Sequence, residues 1–196
     1  MNRIILASAS PRRRELLQQI GLRYETQVSG IDEAVLVSLP ARERVMTLAQ
    51  KKAEIIAARN PDALVVGADT IVVMGDHVLE KPADETDALA MLTMLSGRCH
   101  SVLTGLSMVG PGTQKASLHC EETQVYFRDL DVDEIHWYIR SGEYADKAGA
   151  YGIQGKAALF VNRIEGCYFN VVGLPLTALF LMLKERGIHI ENHTDS

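Results

Sequence analysis

Apolar residues first gather in Arg3-Ile4-Ile5-Leu6-Ala7, a short run closed by Ser8, which predicts a buried strand over Arg3–Ala7. Pro11 then opens a helical pattern with Leu16, Leu17 and Ile20 on its apolar side and Gly21 as its stop. A second strand is expected over residues 24–28. Across residues 40–59, Val45, Leu48, Ala49, Ile55 and Ile56 recur near helical spacing and predict a longer helix. Leu64-Val65-Val66 and Ile71-Val72-Val73 are β-branched runs interrupted by Gly67-Ala68-Asp69-Thr70, and Gly75-Asp76 reads as a hairpin turn into residues 77–80.

A helix is predicted over residues 84–96, with Asp84 as its cap and Gly97 past its end. Strands at Cys99–Val109 and 116–127 flank a Gly110-Pro111-Gly112 turn. Asp131 and Glu134 form a capping pair for a helix closed by Gly142. Residues 158–163 and 167–172, joined across Glu165-Gly166, predict a second hairpin. The last helix runs from Pro175 to just before Gly187. Strands and helices are interspersed, so the expected class is α/β, a mixed sheet with flanking helices. No repeat or linker divides the chain, which predicts a single domain over residues 1–187 and a polar tail over 188–196.

Composition narrows the function. Hydrophobic residues make up 47% and charged residues 23%, as in ordinary globular chains. Twenty Lys and Arg against 25 Asp and Glu give a net charge of −5. A net-acidic chain is a poor general binder of nucleic acid, so a polyanionic ligand needs a local basic pocket. The apolar opening is too short for a signal-peptide core, and no later run reaches the roughly 18 residues of a membrane span. Three cysteines, Cys99, Cys120 and Cys167, with no C-x-x-C pair, read as reduced thiols of a cytoplasmic protein.

Ser8-Ala9-Ser10-Pro11-Arg12-Arg13-Arg14 is the sharpest chemical signal. Ser10 and Pro11 suit a helix start, but each cation in that first turn is unfavourable by roughly 0.3–1 kcal/mol. An anion held by helix N–H groups and guanidinium forks would account for the cluster, and a solvated basic turn is the competing account. Asp69 lies among apolar residues, where a lone carboxylate is costly to bury. It is therefore expected at a break in the sheet facing a cleft, with Gly67 allowing a kink or a close approach. A turn aspartate capping nearby N–H groups is the alternative, and both stand at this level.

Glu33, Lys52 and Lys81 are weaker candidates. Asp146-Lys147-Ala148-Gly149-Ala150-Tyr151-Gly152-Ile153-Gln154-Gly155 suggests a shaped loop approaching a ligand. The glycine spacing of a P-loop, the H-E-x-x-H zinc motif and a G-x-S-x-G elbow are all absent, so no covalent nucleophile stands out.

Taken in order, Leu6–Leu17, Gly67-Ala68-Asp69-Thr70, Glu80-Lys81-Pro82, Leu95-Ser96-Gly97, residues 146–155 and Val172-Gly173-Leu174-Pro175 resemble the Maf family of nucleotide pyrophosphatases. The resemblance implies a Maf and inosine-triphosphatase type of fold with a central cleft, commonly a homodimer. It implies hydrolysis of a nucleoside triphosphate to monophosphate and pyrophosphate with Mg²⁺, Mn²⁺ or Co²⁺. Asp69 matches the proton acceptor, and Glu33 with Asp69 would position metal or water. Ser8, Arg12, Arg13, Lys52 and Lys81 would hold the triphosphate. Arg12, Thr70 and Gln154 match the specificity positions of the branch that takes dTTP and UTP; another branch takes a methylated guanosine triphosphate. A nucleotide-binding regulator of septum formation is the reading from a different class, which Asp69 disfavours because a pure binder needs no poised base.

Overall fold

The computed structural model describes residues 3–31, 38–111 and 115–190. Their strands form a seven-stranded mixed sheet. In chain order the elements are β1 (Arg3–Ala7), α1 (Pro11–Gln19), β2 (Glu25–Thr26), α2 (Ala41–Ala57), β3 (Ala63–Met74), β4 (His77–Leu79) and α3 (Glu85–Leu95). There follow β5 (Cys99–Val109), β6 (Ser117–Phe127), α4 (Val132–Ile139), β7 (Val161–Glu165), α5 (Tyr168–Val172) and α6 (Leu176–Glu185). The sheet order is β2-β1-β3-β5-β6-β7, with β4 paired to β3. β1 runs parallel to both β2 and β3, while the β3–β4 and β6–β7 pairs are antiparallel. The α/β class and flanking helices expected from the sequence hold. No helix of the described residues is long and apolar enough to cross a membrane.

The chain divides into two compact units: residues 1–69, 104–121 and 173–196, and residues 70–103 and 122–172. In the first, Ile5, Ala7, Ala53, Ile56, Ala63 and Val65 form an apolar core between β1, β3 and α2. Two glycines set how close α2 lies. A Cβ on Gly67 would come within 2.1 Å of the Ala49 carbonyl oxygen, and one on Gly105 within 2.2 Å of that of Val45. Neither has room for a methyl group.

Gly67 also explains where the sequence misled. Residues 67–70 were expected to interrupt two strands, yet β3 is one strand of 12 residues. A glycine that reads as a breaker in isolation is here the contact point of a helix. Asp69 therefore lies within a strand and not at a break in the sheet.

The second unit is built around Val72, Leu92, Leu95, Val102, Val125, Phe127, Tyr138 and Phe160. His100 is buried in it, with Nε2 2.8 Å from the Tyr151 hydroxyl and edge-on contacts to Phe127 and Tyr151. The expected caps are present: Asp84 accepts from the Asp87 N–H, and Asp131 and Glu134 form a reciprocal capping box on α4.

The hairpin expected over 158–163 and 167–172 is not formed. Lys156–Phe160 is a 3₁₀ turn, β7 pairs with β6, and Tyr168–Val172 is helical. The reason is tertiary. Thr123 Oγ1 accepts from the Cys167 N–H and donates to the Cys167 carbonyl, and Asn170 Nδ2 donates to Thr123 Oγ1 and to the Val102 carbonyl. Side chains thus satisfy backbone groups that a ladder would otherwise take. All three cysteines are free thiols.

Candidate active site

β1 and β3 are parallel, with Ala7 opposite Gly67, so the carboxyl end of β1 delivers Ser8 beside Ala68. Crevices outside the carboxyl ends of parallel strands are where α/β sheets bind ligands. Ser10 occupies the N-cap of α1, and Pro11 follows at the first helical position, as expected. The capping itself differs from expectation. The Ser10 side chain makes no cap bond, and its N–H instead donates to Ser8 Oγ at 3.2 Å. The α1 N-terminus thus starts without a side-chain cap, the condition in which it suits an anion.

Arg13 is buried beneath this turn. Its Nε donates to the Gly173 carbonyl at 2.7 Å, and its Nη1 donates to Ser8 Oγ and to the Ala68 carbonyl, both at 3.0 Å. Arg12 is half-buried on the same turn.

On the facing helix, Lys52 donates to Asp69 Oδ1 at 2.7 Å, and both side chains are about nine-tenths buried. The small residues Ala49, Ala53 and Gly67 let α2 approach β3 closely enough for this contact. An isolated carboxylate in such a place would cost several kcal/mol, which the ammonium offsets. Ser8, Arg13, Lys52 and Asp69 therefore gather in the first unit. Ser8 Oγ already accepts two hydrogen bonds, a poor starting point for a nucleophile.

Thr70, Lys81 and Gln154 belong to the second unit. Thr70 is half-buried, whereas Lys81 and Gln154 are exposed. The loop over 146–155 is held by its own unit. The Gly149 N–H donates to the Glu80 carbonyl at 3.1 Å. Cβ atoms on Gly149, Gly152 and Gly155 would meet Val72, Lys147 and Glu143 at 3.0, 2.5 and 2.1 Å. Val72 and a positive φ of 67° account for Gly149, whereas Gly152 and Gly155 face only the movable ends of the Lys147 and Glu143 side chains.

Glu33 lies outside the described residues. Among those described, no group of three His, Cys, Asp or Glu side chains gathers to hold a metal. The Gly173 carbonyl and Gly105 escaped the residue-by-residue reading. Gly173 was visible only inside the Val172–Pro175 motif, and Gly105 carried no signal within an apolar strand.

These features define an α/β protein with a buried lysine–aspartate pair beside an arginine-anchored helix start at the carboxyl end of β1. The sequence matches the family model described as Maf-like protein over residues 3–186, and the chain belongs to that family. It is 51% identical over 187 residues to a dTTP/UTP pyrophosphatase of Geobacillus sp. (strain WCH70), covering 95% of this chain and 100% of the relative. A dTTP/UTP pyrophosphatase of Pelotomaculum thermopropionicum is 47% identical over 190 residues, covering 97% and 100%. The solved structure of a HAM1 protein from Coxiella burnetii aligns with a TM-score of 0.49 and 13% identity, covering 94% and 100%.

Proposed function

We propose that this protein hydrolyses dTTP and UTP to the monophosphate and pyrophosphate with the help of a divalent cation. The names of relatives about half identical over their whole length support the substrate and reaction. The buried Lys52–Asp69 pair is the observation that carries the chemistry.

Asp69 takes the proton of a water whose oxygen bonds to phosphorus as the α–β anhydride bridge breaks and pyrophosphate leaves. A general base so placed contributes roughly 10²–10⁴-fold. Lys52 fixes the Asp69 carboxylate through one of its three N–H donors and adds positive charge beside the reacting phosphate. Ser8, Arg12 and the α1 N-terminus, with Arg13 behind them, hold phosphate oxygens, and Lys81 adds a further cation. Arg12, Thr70 and Gln154 select the pyrimidine, since a Gln amide both donates to and accepts from a base edge.

A magnesium-class ion is commonly held by one or two carboxylates together with substrate phosphates. Asp69 fits that donor set, with Glu33 as the second carboxylate. When bound, the ion would neutralise phosphate oxygens. A cytoplasmic homodimer is the organisation expected of the working enzyme.

Product analysis tests the reading. Purified protein with Mg²⁺, Mn²⁺ or Co²⁺ is given dTTP, UTP, CTP and 7-methyl-GTP. Release of dTMP and pyrophosphate is expected, and loss of turnover in a chelator. Orthophosphate with dTDP would overturn the assigned bond. A preference for 7-methyl-GTP would move the chain to the other branch.

A further inference from the structure

A hydroxyl oxygen offers two acceptor lone pairs and one donated proton. Both lone pairs of Ser8 Oγ are taken, one by Arg13 Nη1 at 3.0 Å and one by the Ser10 N–H at 3.2 Å. Neither contact uses the hydroxyl proton, and the residue is only 6% exposed. What remains to Ser8 is donation alone, and an anionic oxygen is the natural acceptor.

Arg13 makes this arrangement. Three of its N–H donors end on neutral acceptors within the protein: Ser8 Oγ, the Ala68 carbonyl and the Gly173 carbonyl. Ala68 immediately precedes Asp69, so one guanidinium fixes both the Ser8 hydroxyl and the peptide next to the buried carboxylate. A lysine, with a single ammonium at the end of a flexible stem, has no fork to span those three acceptors.

We propose that Arg13 is a positioning residue that acts on the substrate through Ser8, turning the hydroxyl into a one-way donor to a phosphate oxygen, and is not itself a phosphate ligand. This rests on the hydrolase reading above and departs from the expectation that Arg13 holds the triphosphate.

Wild type, Ser8→Ala, Arg13→Gln, Arg13→Lys and both double variants with Ser8→Ala are compared. The readouts are kcat and KM for dTTP, calorimetric binding of inorganic triphosphate, and thermal melting. Each single variant should lower kcat about ten- to a hundredfold, with KM changed less, and each double should fall within about threefold of its worse single. Arg13→Lys should remain as impaired as Arg13→Gln. Losses that multiply in the doubles, or recovery by Arg13→Lys to within about threefold of wild type, would overturn the proposal. If Arg13→Gln does not fold, Arg13→Lys and its double carry the same comparison. Should wild type turn over no nucleotide, the hydrolase reading fails by itself. Triphosphate affinity then decides: non-multiplicative losses uphold the positioning role, and multiplicative losses or no wild-type binding overturn it.

Discussion

The Lys52 ammonium lies 2.7 Å from Asp69 Oδ1, with side-chain exposures of 11% and 9%, so the carboxylate proposed as the base is half of a buried ion pair. The sequence placed Asp69 at a break in the sheet facing a cleft. As a paired group inside β3 it bears on stability as well as on turnover.

Asp69→Asn should lower kcat at least about 10²-fold, because the amide no longer accepts a proton. Lys52→Met leaves the carboxylate buried without its ammonium and should destabilise by roughly 3–5 kcal/mol. The double variant Lys52→Met/Asp69→Asn should lose less than the sum of the singles. Urea denaturation of the four proteins measures the coupling, and strictly additive losses would show that the pair contributes nothing to folding.

Gly67→Ala and Gly105→Ala each push a methyl group into the backbone of α2, at 2.1 and 2.2 Å from carbonyl oxygens. Each should cost about 1–3 kcal/mol or more, since backbone gives way less readily than a side-chain tip. Because α2 carries Lys52, Gly67→Ala should also slow turnover in the fraction that folds. Melting temperatures unchanged from wild type would show that α2 lies farther from the sheet.

Much of the fold was legible because its signals are local. β1, β5 and the caps at Asp84 and Asp131 follow from apolar runs and N-terminal chemistry that act over a few residues. The errors fall where a distant segment decides. Gly67 and Asp69 read as a break because nothing nearby in sequence announces that Ala49, Ala53 and Lys52 will cover them. The stretch 167–172 reads as a strand because the Thr123 and Asn170 bonds that hold it helical join residues more than 40 positions apart. Arg13 shows the same limit at the site: the sequence showed a cation, and only the fold revealed which acceptors it meets.

Gln154 is exposed in the second unit and carries the proposed reading of the base. Gln154→Glu removes an amide donor and adds a negative charge, so discrimination should suffer more than phosphate chemistry. A lost or mismatched hydrogen bond to the base costs roughly 1–3 kcal/mol, or about 5–150-fold in relative kcat/KM. Ratios among dTTP, UTP, CTP and 7-methyl-GTP cancel general damage. A uniform loss across all four substrates, repeated in Thr70→Ala, would remove both residues from specificity.

His100 makes stability depend on pH. Burial pushes its imidazole down from the ordinary 6.5 to about 4, because the charged ring would be cut off from water among Phe127 and Tyr151. The Tyr151 hydroxyl, raised by its own burial, stays protonated across this range and offers no negative partner. The folded state therefore binds fewer protons than the unfolded one between these values, so stability rises with pH there. The contribution is fully present above about 6.5 and is lost as pH falls towards about 4. The gap corresponds to roughly 3 kcal/mol. His100→Gln removes the titration while keeping a polar side chain. Urea unfolding of wild type and variant from pH 7.5 to pH 4 should give curves that converge on acidification, because only the wild type loses this term. Carboxylates titrating in the same window affect both proteins and cancel in the difference. Parallel curves would mean that His100 takes up its proton equally in the folded and unfolded states, and would exclude it as the source of acid sensitivity.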